Sequence, residues 1–595
     1  MSLCSGHTLT PSILKKSSTI QERIQSTPKS TTKVRFVLPH SQNVRKILRD
    51  FLKHNNTKDY QHLICLIRDS ELTDDDLSSL LKECTECISL MNNDLRLFTE
   101  VLLTIQWANR DIKLVKEYQS FLNNLLVAHT YHAKIVIDNL VSLFLQNSNE
   151  VWENGEPTHE DDKKFSNVHK VLKTLFRIVP MCMDMMVDAL QRHYPYFRRG
   201  VHVNDCYLYN LLKVLDYAPS LKAEILDLIF LRLVNMDVGV PRDLIEKVYS
   251  DVDEDIVLLD EGKSCSNNNL VSPDKVVVET LDICLRRIFR FIHKVCHNPE
   301  TGDFAWNETK EFYKNTLKIF DGIVLPTYNC HHIQFCWFLL FSFKPCLAEI
   351  FIDHLWQKVT DPSISPVLRQ TSVQYIASLV ARASYVNLRL LKNVLQQLSS
   401  WIHSYINAQD DVECVNWNLK VHSVFYSTCQ ALFYVTFFRH KEMIASNKNL
   451  SFLQNLNFSK IVTCRLNPLR VCQPAVVQNF AAFTRNYQLA YCHAIIEHNS
   501  RTTISTIYQN QGGLGMAQTN DVLDANYPFD PFVLKRCSGD IKPFYRVYEE
   551  FDLKRKAEAE ETNEIEMDDF IDQTYVSNKR KKFSYGSSPG FKFNL

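Results

Sequence analysis

Apolar positions along most of this chain recur every three or four residues, the spacing that lays them along one face of an α-helix. The pattern is cleanest after Tyr207, where Leu208, Leu211, Leu212 and Leu215 share a stripe that ends near Tyr217, Ala218 and Pro219. Proline has no N–H and disfavours the α conformation in the residue before it, so Pro219 ends that helix. A second stripe follows through Leu221, Ile225, Leu228 and Ile229, with Ser220 placed to cap it. Two amphipathic helices joined by three or four residues make an αα-hairpin, the unit of a helical solenoid. Comparable stretches cover 95–107, 115–126, 133–145, 276–295, 312–320, 333–343, 366–380, 388–402 and 423–438. Their pairs recur at about 40 residues without a strict repeat, as in HEAT-like arrays. The pattern predicts an all-α fold, a HEAT-repeat-like superhelix of αα-hairpins over residues 44–550.

Three stretches depart from it. Residues 1–43 open rich in Ser, Thr, Lys and Pro and read as a flexible arm. Residues 251–260 (DVDEDIVLLD) are dense in carboxylates and lead into a polar loop through Asn269. Residues 551–595 hold a second acidic run at 558–572, then Lys579, Arg580, Lys581 and Lys582, then a Ser/Gly-rich end. Dense like charge resists packing, which leaves a solvated linker and an interaction segment equally open for each acidic run.

Composition narrows the function classes. Only 13 of 595 residues are glycine, so the chain can hold few of the positive-φ loops that cradle phosphates or form nucleophile elbows. With 45% hydrophobic and 23% charged residues it can bury a large core. Its 67 basic and 67 acidic side chains cancel, which argues against a general duplex-DNA binder. The N-terminus lacks the apolar stretch of a signal peptide. The greasiest run, 335–343, stops after nine residues at Lys344 and Pro345, where a membrane span needs about 20. The 18 cysteines are scattered among helical patterns, and Cys206, Cys284 and Cys336 sit on apolar faces as small hydrophobes. The chain therefore reads as soluble and intracellular.

Catalytic templates nearly match and then fail. Gly262, Lys263 and Ser264 resemble the end of a phosphate loop, but Val257 stands where the first glycine belongs, and the surroundings are acidic. Gly586 to Gly590 has the letters of a nucleophile elbow without a preceding strand. Cys84 and Cys87 form a lone CxxC among Leu77, Leu80, Leu81 and Ile88, short of four zinc ligands. Cys330, His331, His332 and Cys336 stand at the head of an apolar helix, where capping and core roles outweigh ligation. Asp74, Asp75 and Asp76 follow Thr73, a helix-start signature. No catalytic residue, cofactor or metal site is expected.

Two aromatic stretches stand out. Tyr194-Pro195-Tyr196-Phe197-Arg198-Arg199 ends a helix and opens a loop with the composition of a binding hot spot, or is a packed helix end with solvated arginines. In 527–536 (YPFDPFVLKR) two X-Pro bonds predict an extended path bearing Tyr527, Phe529 and Phe532. That segment either staples back onto the solenoid, the favoured reading, or offers anchors to a partner.

With these residues in view, the sequence resembles RNA polymerase I-specific initiation factors of the TIF-IA type. The matching blocks run, in the family's order, through 177–200, 206–238, 324–343, 370–386, 466–487 and 527–536, with the acidic insert at 251–260. The resemblance implies a HEAT-repeat superhelix without enzymatic activity that bridges RNA polymerase I to the promoter-bound core factor at ribosomal RNA genes. It implies regulation by protein kinases, self-association of the free factor, and a nuclear and nucleolar location. Carried over by position, Tyr196, Phe197, Arg198 and Arg199 fall in the family's polymerase-associated surface, and Leu379, Arg382 and Ala383 in its partner-contact block. A HEAT-type transport receptor or general scaffold is the rival reading, and it leaves the ordered blocks unexplained.

One departure concerns regulation. The turn at 200–204 contains no Ser or Thr, so a phosphorylation switch there is in doubt. Ser584, Ser587 and Ser588, beside Lys579, Arg580, Lys581 and Lys582, become the expected acceptors, and Ser588-Pro589 suits a proline-directed kinase. Phosphate there adds nearly two negative charges against four cations that read as a nuclear import signal.

Overall fold

The structure, a computed structural model, describes residues 43–54, 56–69, 72–145, 152, 155–249, 273–298, 300–410, 418–509, 522–523 and 526–549. The arm before residue 43, the acidic insert at 251–260 and the tail with Lys579, Arg580, Lys581, Lys582, Ser584, Ser587 and Ser588 lie outside them. Among the described residues the chain forms helices and no strand, with two isolated bridges, His297 with Phe304 and Ala383 with Tyr545. The helices fall into two compact units, one built from residues up to 140 with 166–182, the other from 141–165 and from 183 onward.

The first unit opens with α1 (Val44–His54), α2 (Thr57–Asp69), α3 (Asp74–Glu86), α4 (Arg96–Leu103) and α5 (Ile112–Ala128). Thr73 caps α3 by accepting from the Asp76 amide, and Asp74, Asp75 and Asp76 fill its first turn. Carboxylates there meet the positive end of the helix dipole, the sequence pattern's own prediction. The stretch expected as one helix over 95–107 is shorter, because it opens in a 3-10 turn at Asn93–Leu95 and closes at Leu103. Cys84 and Cys87 are both buried on the α3 side, and burial pushes both thiols up.

Next come α6 (Ala133–Ser142), α7 (His159–Ile178), α8 (Cys182–His193), α9 (Val201–Val214) and α10 (Lys222–Val238). The second unit continues through a helix at 242–249 to α11 (Pro273–Cys296), α12 (Trp306–Ile319), α13 (Phe335–Phe343), α14 (Pro345–Thr360) and α15 (Pro366–Arg382). It continues with α16 (Leu388–Asp410), α17 (Ser423–Phe438), α18 (Pro474–Asn486) and α19 (His493–Gln509), with shorter helices and turns between and after them. In this unit α11 packs on both α9 and α13, α15 on both α14 and α17, and α17 also on α16 and α18. Helices that touch their chain neighbour and the helix beyond it are the packing of a helical solenoid.

Three expectations are corrected here. Ser220 does not cap the helix after Pro219: that residue opens a 3-10 turn, α10 has no side-chain cap, and the Ser220 hydroxyl points to the Met183 sulfur at 3.5 Å. The turn read over 200–204 is confined to Gly200, since α9 begins at Val201 and takes in Asn204. The helix read over 312–320 starts at Trp306 and ends in a π-turn at Phe320–Val324, because its first turns carry polar residues that hide the stripe.

The second unit buries helices on every side. All residues of α17 are buried, the state of a helix that is apolar all round. Thr428 and Thr436 survive there by donating to the carbonyls four residues back, of Val424 and Leu432, each at 2.7 Å. Phe335 through Phe341 of α13 are buried in the same way. No helix among the described residues is long and apolar enough to cross a membrane.

Candidate partner-binding site

Helix α8 ends at His193 and the chain turns through Pro195 into a single 3-10 turn, Phe197–Arg199. The base of the turn is fixed inside the second unit. The Tyr194 ring meets Tyr207 edge-on at 5.1 Å, and the Arg232 guanidinium lies over it at 5.4 Å. One helix further in, Tyr207 donates to the Leu190 carbonyl at 2.7 Å. Burial pushes the Tyr194 hydroxyl far above its ordinary pKa, so this ring is neutral structure.

The crest of the turn faces outward. Tyr196 is 62% exposed, its ring 4.5 Å from Phe197, and the Arg198 guanidinium lies over Phe197 at 5.7 Å. Arg198 and Arg199 are exposed, and neither makes an ion pair among the described residues. Some surface cations of this unit are paired, Lys213 with Asp162, Lys222 with Glu311 and Lys294 with Asp216, while others, such as Lys310, Lys314 and Lys318, make no ion pair among the described residues. The turn ends at Gly200, whose φ of +144° is a conformation side chains rarely adopt. Beneath it the buried Asn204 amide donates to the carbonyls of Gly200 at 2.8 Å and Phe197 at 3.4 Å. One residue on, Asp205 pairs with Arg287, which also donates to the Gly155 carbonyl at 2.8 Å. The structure thus brings Tyr196, Phe197, Arg198 and Arg199 together on one outward turn held from below.

The block around residue 380 is placed differently. Leu379, Arg382 and Ala383, expected at a partner contact, are each fully buried, so none offers a side chain to a partner in this structure. What covers them is the segment that begins at Tyr527. It runs as a turn and not as the extended path the two prolines suggested, with the Asp530 amide donating to the Tyr527 carbonyl at 3.0 Å. Asp530 pairs with Arg382 and accepts from the Tyr434 hydroxyl at 2.9 Å, all three side chains buried. Tyr527 stacks on Tyr434 at 4.0 Å, while Phe529 sits among Phe335, Phe338 and Tyr375. Further along, Ser384 and Arg546 amides donate to the carbonyls of Phe544 and Arg382. The segment is a strap stapled to α13, α15 and α17.

Two more buried carboxylates hold this region, and the sequence pattern did not point to them. Asp237, at the end of α10, accepts from the amides of His331, His332 and Ile333 at 2.8–3.0 Å and from His332 Nδ1 at 2.9 Å. It caps the turn ahead of α13. Cys330, His331, His332 and Cys336 are therefore cap and core, and among the described residues no His, Cys, Asp and Glu group is arranged for a metal. Burial drives His331 down to about 4, with the Arg242 charge adding to it, and pushes the Cys330 and Cys336 thiols up. Asp282 on α11 accepts from the amides of Arg536 and Cys537 at 2.8 and 2.9 Å, fixing the far end of the strap. The available signal is a lone Asp inside an apolar run (NMDVG, TLDIC), which needs buried donors to ionise there.

The comparisons with known proteins bear on this arrangement. The family model described as RNA polymerase I specific transcription initiation factor RRN3 matches residues 39–553. The chain is 33% identical over 575 residues to RNA polymerase I-specific transcription initiation factor RRN3 of Mus musculus, covering 92% of this chain and 86% of the mouse protein. The namesake of Schizosaccharomyces pombe is 25% identical, with 82% of each chain covered. A crystal structure of RNA polymerase I transcription initiation factor Rrn3 superimposes with a TM-score of 0.67 at 21% identity, covering 86% of this chain and 99% of that one. Its likeness supports the all-α solenoid fold. With a family model spanning most of its length and a relative of this identity and coverage, the chain belongs to the RNA polymerase I-specific transcription initiation factor RRN3 family.

Proposed function

We propose that this chain is a non-enzymatic adaptor in the nucleus and nucleolus. It holds RNA polymerase I and the promoter-bound core factor together so that ribosomal RNA genes can be initiated. Family membership supplies the process. The observation that carries the adaptor reading is the outward turn Tyr196–Arg199 on a helical body, two exposed arginines without ion-pair partners among the described residues beside the exposed Tyr196 and half-buried Phe197 rings. Arginine and tyrosine on a fixed frame are what protein interfaces concentrate at their energetic centre. In this reading polymerase meets that turn, and output follows the occupancy of the complex.

Regulation enters through the tail. Protein kinases acting at Ser584, Ser587 or Ser588 would place phosphate beside Lys579, Arg580, Lys581 and Lys582, masking import or altering a contact by about 1–3 kcal/mol. A free homodimer belongs to the same reading, whereas cofactors, membranes and strong direct DNA binding do not. The test is co-purification of polymerase I with the full chain carrying Arg198→Glu and Arg199→Glu. The reading expects polymerase binding to drop with helicity intact. Unchanged co-purification removes the interface, and selective loss of ribosomal precursor RNA on depletion separates the adaptor from a transport receptor.

A further inference from the structure

We infer that Gly200 and Asn204 are positioning residues that preset the Tyr196–Arg199 turn for an acidic protein segment bearing an apolar anchor. The inference rests on the reading of that turn as the polymerase contact and adds the chemistry of what it receives.

The turn is rigid for reasons separate from its exposed side chains. Gly200 holds φ +144° with no heavy atom within 4 Å of where a Cβ would stand. Any side chain there is strained by the backbone alone, not by collision. Asn204, one turn into α9 and buried, spends its amide on the carbonyls at both ends of the 3-10 turn. Phe197 rests its ring edge against Gly239, 3.8 Å from the place a side-chain carbon would occupy. Next to Gly239, Val238 leaves 44% of its surface in solvent. The outcome is an apolar step of Tyr196 and Phe197, backed by Gly239 and flanked by Arg198 and Arg199.

That layout selects its partner. Guanidinium groups fit carboxylates in bidentate fashion, and an apolar side chain between them gains the shelter of the step. A nucleic-acid backbone is the poorer match, since it asks for a longer row of cations than two arginines and the chain carries no net positive charge. Because the turn is already shaped, little ordering entropy is lost when the segment docks.

The experiment measures binding of the full chain to nuclease-treated, DNA-free polymerase I at rising NaCl, for wild type, Gly200→Ala, Asn204→Ser and the double glutamate variant, with circular dichroism and thermal melts alongside. Gly200→Ala should weaken binding about tenfold with helicity kept and the melt lowered by only about 2–4 °C from the backbone strain, as expected of lost preorganisation. Binding of the wild type should fall steeply with salt, and the salt dependence should flatten in the double glutamate variant. A 20-base-pair duplex offered as a direct probe should bind no better to wild type than to the glutamate variant. If the glutamates leave binding intact, the interface reading itself fails. If they abolish it while Gly200→Ala and Asn204→Ser bind like wild type, the positioning role alone is overturned. Salt-independent binding, or arginine-dependent capture of the duplex, overturns the acidic-segment assignment.

Discussion

Two stretches of this chain open alike, with Tyr-Pro and an aromatic residue: Tyr-Pro-Tyr-Phe-Arg-Arg from Tyr194 and Tyr-Pro-Phe-Asp-Pro-Phe from Tyr527. One ends as an exposed crest and the other as core. The difference lies in the charge each carries, Asp530 at the fourth position of one and Arg198 at the fifth of the other, and in what waits for it. Asp530 finds a buried arginine, Arg382, and a tyrosine hydroxyl, so its aromatic neighbours are drawn in with it. Among the described residues Arg198 finds no buried carboxylate; the nearest acidic side chain in sequence, Asp205, is already taken by Arg287. Composition alone marks both as sticky. The counter-charge decides which one serves the fold and which is left exposed.

The comparison breaks most easily at the strap. Asp530→Ala leaves Arg382 as an uncompensated buried charge and should cost about 3–5 kcal/mol in urea unfolding. A paired apolar replacement, Arg382→Met with Asp530→Leu, should cost clearly less than Asp530→Ala, because no lone charge remains. Phe529→Ala empties a site between α13 and α15, with a loss of about 3–5 kcal/mol by the same measurement. A pH scan sharpens the role of the neighbouring turn. His331 stays neutral in the native chain down to about 4, while the unfolded chain takes up that proton near pH 6.5. Between those values the unfolded state binds more protons, so stability should fall as pH drops through the window. His331→Asn should flatten that slope. The smallest effect belongs to the crest: Tyr196→Ala should move stability by no more than about 0.5 kcal/mol.

Much of the fold was legible from spacing alone. The helix at 423–438 matches its predicted bounds, and that at 366–380 differs by two residues, because the apolar pattern marks the first and the same pattern with Pro366 at the N-terminus marks the second. The Thr73 cap and the outward Arg198 and Arg199 were equally readable. What escaped is long-range. Nothing within a dozen residues of Arg382 announces Asp530, about 150 positions on, and a buried arginine looks like an exposed one in sequence. The block holding Leu379, Arg382 and Ala383, expected at a partner contact, is for that reason interior. Asp237 and Asp282 were missed on the same ground, since their partners are backbone amides of distant turns. Ser220 misled because a local capping signal lost to the 3-10 turn that Pro219 opens.

The proposed division of labour has the crest at Tyr196–Arg199 meeting polymerase while the strap from Tyr527 keeps the helices together. Amide hydrogen exchange of the full chain, free and bound to RNA polymerase I, tests it directly. The expected result is new protection around residues 196–201, with the strap amides already slow in the free chain and unchanged on binding. Fast exchange in the free strap, or protection that appears there and not at the crest, contradicts it.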